Sequence, residues 1–243
     1  MTPEEWRTSN NSKAMRIYLT SERMDNAARM RVFAVACCRL IWDQIPEGAC
    51  RNAVEVAESA ALTEATFSGD LAKYSELAGA RQAVSRELER RRHMTMEQLP
   101  NQVSNFPIHA VLGTVGFKPD IYFTEWHSPP GRIGGLTDHD HLLPHLLRDI
   151  FGPDPSRSLP RIKDEWKTSD VVAMARGMYE TNDFTAMPIL ADALQDAGCE
   201  NEDILNHCRG DGPHVRGNWV VSGILGQNLE IGRSISRTRG GCG

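Results

Sequence analysis

Apolar positions recur at helical spacing through the first ninety or so residues. "TPEEW" offers Thr2 as an N-cap, Pro3 at the first helical position and two acids in the first turn. Met15, Ile17, Tyr18 and Leu19 predict a second short helix. From about Asp25 to Trp42 the chain is apolar almost all round, through Ala27, Met30, Val32, Phe33, Ala36, Cys37, Leu40 and Ile41. That pattern predicts the central helix of a core, with arginines emerging at its edges. Helix resumes after Pro46, where Ala53, Val54, Ala57, Ala60 and Ala61 form a narrow stripe suited to close packing. Asp70 can cap a long helix running to about Arg92, with Leu71, Tyr74, Leu77, Ala78, Val84 and Leu88 on one side.

The pattern then breaks. Residues 94–136 are rich in Pro and Gly ("LPNQVSNFP", "GFKPD", "HSPPGRIGG") and lack a sustained period. They read as an irregular connection with one short helix near Ile108 to Leu112. Helical spacing returns in "TDHDHLLPHLLRDIFG", where Thr137 or Asp138 can cap, Leu142, Leu143, Leu146, Leu147, Ile150 and Phe151 form the buried face, and Gly152 ends the run. Thr168 and Ser169 cap the next helix, and Asp183 is expected to cap the one that ends at Gly198. Asn201 caps "EDILNHC", Gly210 stops it, and Pro213 is expected to open a last helix over "PHVRGNWVVSGILG". The tail 231–243 has three arginines, no acid beyond Ile231 and little apolar content, so disorder is expected. The fold class is therefore an all-α compact bundle. It has an N-terminal helical segment (1–93), the irregular connection (94–136), a C-terminal helical segment packed on the first (137–230) and the tail.

Composition adds boundaries to this picture. A chain of 243 residues with 40% hydrophobic and 24% charged residues can bury a substantial core. The net charge of −5 argues against a general affinity for nucleic acid, which needs a basic surface. The run "VFAVACCRLIW" is too short to span a bilayer and is broken by Arg39, so no membrane partner is expected. The N-terminus is acidic and polar, unlike a signal peptide, and a cytoplasmic location is the expectation.

Two stretches carry candidate chemistry. His139, His141 and His145 lie beside Asp138 and Asp140, and His141 and His145 have the four-residue spacing that two metal ligands use on a helix. The zinc-protease glutamate is missing and Pro144 interrupts the motif, marking either a distortion or a later helix start. The second stretch holds Cys199, His207, Cys208 and His214. Its spacing contains no short chelating pair, so a structural helix–turn–helix corner is the simpler reading. A thiolate near His207 or His214, or a metal ligand set, are the alternatives. Nucleotide-binding glycine motifs and a nucleophile elbow are absent.

"MRVFAVACCRLIW" resembles an "RLFACACCRRIW"-type motif, and "LLRDIFG", "MPILADALQDAGCENEDILNHCRG" and "GPHVRGNWVV" resemble the C-terminal signature of the same group. That group is an uncharacterised family of bacterial, planctomycete-type hypothetical proteins, and "MTPEEW" approaches its usual opening. The resemblance covers roughly Met1 to Glu58 and Leu146 to Gly226 and implies no activity, cofactor or catalytic residue. The family pattern has Cys where this chain has Asn218, which weakens the idea of a ligand at that position. The leading functional expectation is a non-enzymatic interaction or regulatory module with no cofactor and another protein as its partner. The alternatives are an enzyme using zinc or another divalent metal around residues 138–145, and a thiol redox-responsive protein.

Overall fold

A computed structural model describes residues 1–22, 27–64, 71–92, 108, 111, 112, 114, 115 and 139–227. Among the described residues the protein is all-α, with helices and no strand. Asp70, Thr137, Asp138, the tail 231–243 and most of 94–136 lie outside them.

Helix α1 (Pro3–Thr8) starts in a capping box. The Thr2 hydroxyl accepts the Glu5 N–H at 3.1 Å, and the Glu5 carboxylate accepts the Thr2 N–H at 2.6 Å. Helix α2 (Ser12–Ser21) is capped by Asn11 and buries Met15 and Leu19, leaving Ile17 exposed. Helix α3 (Ala27–Leu40) is buried continuously from Met30 to Cys38, as its all-round apolar pattern requires. It ends two residues earlier than expected, and the chain tightens into a 3-10 turn over Trp42–Gln44. One arginine departs from expectation. Arg31 is inside the core, where its Nε donates to the Thr114 carbonyl at 3.1 Å.

Helix α4 (Ala49–Glu64) lies between α3 and α5 (Leu71–Arg92). Ala53, Ala57, Ala60 and Ala61 are buried, so the backbones approach closely. Ile108, Val111 and Leu112, expected in a short helix, are helical and buried in this same core. Helix α6 (Leu143–Phe151) closes the first core against α2 and α3. Leu146, Leu147, Ile150 and Phe151 are essentially fully buried.

A second core forms from α7 (Ser169–Thr181), α8 (Met187–Asp196), α9 (Glu202–Arg209) and α10 (Trp219–Ile224). Thr168 caps α7 and Asn201 caps α9, as expected. Two expected helix starts are corrected. Asp183 does not cap α8. Its carboxylate accepts the Thr185 N–H within a turn, and α8 starts later, with Pro188 in its first turn. Pro213 does not open a helix either. It follows a cis peptide bond after Gly212, and residues 211–218 run irregularly until Asn218 caps α10.

That irregular strip joins the two cores. Val215 packs on the first core, and Trp219 belongs to the second. Arg216 reaches Glu58 of α4 at 3.6 Å and donates to the Tyr179 and Glu180 carbonyls at the end of α7. Gly217 has φ +92°, and a Cβ there would meet Val32 Cγ1 of α3 at 2.6 Å. Gly217→Ala should therefore combine backbone strain with overpacking and lower stability by about 2–4 kcal/mol in urea unfolding. A change below about 0.5 kcal/mol would mean the contact between strip and α3 yields freely.

Candidate functional site

Asp149 sits on the buried face of α6, between Leu146 and Ile150, and is 2% exposed. A lone carboxylate there is costly unless partners meet it, and the strip after α9 supplies them. Asp149 Oδ2 accepts the Val215 N–H at 3.0 Å. Asp149 Oδ1 lies 2.6 Å from His214 Nδ1 and 3.2 Å from His207 Nε2, and also bonds the Asn218 amide nitrogen. His207 comes from the last turn of α9, and His214 from the strip after Pro213. The two rings meet edge to face at 5.2 Å, and Trp219 lies 5.0 Å from His207.

Asn218 has two jobs. Its Oδ1 accepts the Val220 and Val221 N–H groups at 2.9 and 3.1 Å, capping α10. That fixes the amide orientation and turns Nδ2 toward the cluster. Nδ2 is 2.8 Å from His207 Nε2 and 3.2 Å from His214 Nδ1. Four polar atoms thus crowd one point at the seam between the cores.

Counting protons exposes a mismatch. The Asp149 carboxylate can only accept, and Asn218 Nδ2 can only donate. Each imidazole nitrogen faces both groups. A protonated nitrogen serves Asp149 and opposes Asn218, while a bare one does the reverse. With both imidazole nitrogens protonated, their two approaches to Asn218 Nδ2 lack an acceptor, and with either one bare its approach to Asp149 lacks a proton.

The electrostatics follow the same contacts. Burial alone would push Asp149 up, but the hydrogen bonds and charges of His207 and His214 outweigh it and hold the carboxyl below its ordinary range. Burial likewise pulls His214 down, yet the bond to Asp149 and its charge leave the imidazole above its ordinary value. The Gly210 backbone adds a weaker pull, although His214 Nε2 makes no full hydrogen bond.

Asp149, His207 and His214 bring three ligand atoms within 4.8 Å of one another, a group of the kind that holds a metal ion. His139, His141 and His145 form no such group among the described residues. The helix starts at Leu143, after His141, so Pro144 marks a later start and the four-residue spacing does not lie on one helix. His139 is in the turn before α6, with its carbonyl accepting the Leu142 N–H, and His141 and His145 are exposed. Asp138 lies outside the described residues.

Cys199 and Cys208 are buried, unpaired in any disulfide, and packed in the second core. Burial, with Asp149 and Cys199 nearby, pushes the Cys208 thiol up to about 12. Little thiolate exists at neutral pH, so the redox reading gains no support here. Native-state thiol labelling should leave both cysteines unmodified until denaturant is added, and rapid labelling of Cys208 would contradict this burial.

Asp149 is the member that sequence reasoning misses. Its signal is nonetheless present, as a charge embedded in the apolar face of "LLRDIFG". These features define an all-α protein with a buried carboxylate–imidazole cluster at the seam of two cores. Comparisons of the chain with models of protein families, with curated proteins and with solved structures found no match. No helix among the described residues is long and apolar enough to cross a membrane.

Proposed function

We propose that this protein is a non-enzymatic helical regulatory module whose two cores are tied together by a divalent transition metal of the zinc class, held by Asp149, His207 and His214. One observation carries the reading. Three ligand atoms drawn from both cores converge on one point, where protons alone cannot serve every close approach. A cation accepts all three lone pairs at once. Imidazole and carboxylate are ordinary zinc ligands, at about 2.0–2.2 Å. Asn218 Nδ2 has no lone pair to offer, so it is the member a cation would displace.

Burial supports a structural role over a catalytic one. The side chains of Asp149, His214 and His207 are 2%, 9% and 15% exposed, which leaves little room for a substrate at the metal. The partner class we propose is another protein, since the net charge of −5 gives no general attraction to nucleic acid. A reducing, cytoplasmic setting suits the five cysteines among the described residues, all buried and without a disulfide.

The test is a competitive zinc titration of untagged protein against a chromophoric chelator. About one zinc per chain should bind, and His207→Gln or His214→Gln should weaken binding by at least about 100-fold, beyond the usual effect of an outer-shell change. His141→Gln and His145→Gln should leave it intact. Absence of competition with the chelator would sink the proposal, and loss of binding in His141→Gln would return the site to residues 139–145.

A further inference from the structure

A cavity of about 470 Å³ opens between α6, α10 and the loop over residues 158–162. Its volume suits a small organic molecule. Two of its lining groups are unusual. Trp219 Nε1 and Ser222 Oγ are buried hydrogen-bond donors with no partner. Asp149 and Asn218, the buried polar side chains beside them, are by contrast richly bonded. Buried donors are expected to be met, and Trp219 and Ser222 both belong to the wall of one cavity, so the pair points to an acceptor that enters it.

The charge around the cavity identifies that acceptor. Among the described residues, Arg161 and Lys167 line it together with one carboxylate, Asp164, whose Oδ1 accepts from Lys167 Nζ at 3.0 Å. Arg161 and Lys167 against Asp164 leave a positive balance among these described groups, in a protein that is acidic as a whole. Ile150, Leu159 and Ile162 supply apolar wall. Gln227 Oε1 adds a buried acceptor without a partner, which suits a hydroxyl on the ligand.

We infer that this cavity binds a small organic oxyanion, a carboxylate or phosphate monoester on a partly apolar body, with Trp219 Nε1 and Ser222 Oγ donating to its oxygens and Arg161 and Lys167 supplying the charge. The inference goes beyond the metal reading and does not rest on it, because none of the metal-ligating side chains lines the cavity. Trp219 also lies against His207, so a bound anion would be felt at the seam.

The test follows the Trp219 indole N–H resonance by NMR in metal-free protein, assigned by its loss in Trp219→Phe. The probes are 4-hydroxybenzoate and phenyl phosphate, with 4-hydroxybenzamide as the neutral control. The resonance should move saturably with one or both anions, and the tighter probe names the head group. Arg161→Glu with Lys167→Glu, both at the rim, should weaken binding by about tenfold or more, and Ser222→Ala by severalfold. A resonance that stays fixed to about 20 mM of either anion would overturn the inference. Equal movement with the neutral amide, or in the charge-reversed variant, would also overturn it.

Discussion

Asp149→Ala should be among the most destabilising single substitutions in the metal-free protein, at about 3–5 kcal/mol, the usual result of breaking a buried charged pair by removing one partner. The carboxylate is the one acceptor common to His207, His214, Asn218 and the Val215 N–H. Its removal leaves four donors or dipoles facing a gap at the seam. α6 belongs to the first core, and the groups Asp149 holds come from α9 and the strip leading to α10. The loss therefore falls on the contact between cores as well as on local packing. Asp154→Ala is the matched control. Asp154 is also a buried acid, but its carboxylate serves only its own turn, accepting from Ser156 and pairing with Arg157. Its loss should lower stability by about 1 kcal/mol. Urea unfolding of the two variants makes the comparison. Equal losses would mean that the cluster does not hold the cores together.

Asn218→Cys should move the protein in two directions at once. Without metal it removes the acceptor for the Val220 and Val221 N–H groups, a helix cap worth about 1 kcal/mol. With zinc it places a thiolate where the displaced amide stood, within reach of Asp149, His207 and His214. Three protein ligands become four, which is the closed arrangement of structural zinc sites. Zinc affinity should rise by about 100-fold or more, and the cobalt-loaded variant should gain a sulfur-to-metal charge-transfer band. An unchanged affinity and a spectrum without that band would place position 218 outside the ligand sphere.

Much of the fold was legible because helix formation here is local. The all-round apolar run of α3, the alanine stripe of α4 and the caps Thr2, Thr168 and Asn201 all act within a few residues. The errors fall where distant contacts decide. Arg31 looked like an edge residue because its partner, the Thr114 carbonyl, is 83 positions away. Pro213 looked like a helix start because nothing local shows that His214 is drawn out to Asp149, 65 residues earlier. The same distance hid the site. His207 and His214 have no chelating pair between them, and the group that unites them lies on another helix. The trio His139, His141 and His145 offered regular spacing, but spacing implies one face only if one helix carries it, and α6 begins after His141.

A metal bridging the two cores is read most directly from the anomalous scattering of a zinc-loaded crystal on either side of the zinc absorption edge. One strong peak should appear at the seam, about 2.0–2.2 Å from Asp149 Oδ1, His207 Nε2 and His214 Nδ1. A peak among His139, His141 and His145, or no ordered peak in crystals grown with stoichiometric zinc, would contradict it.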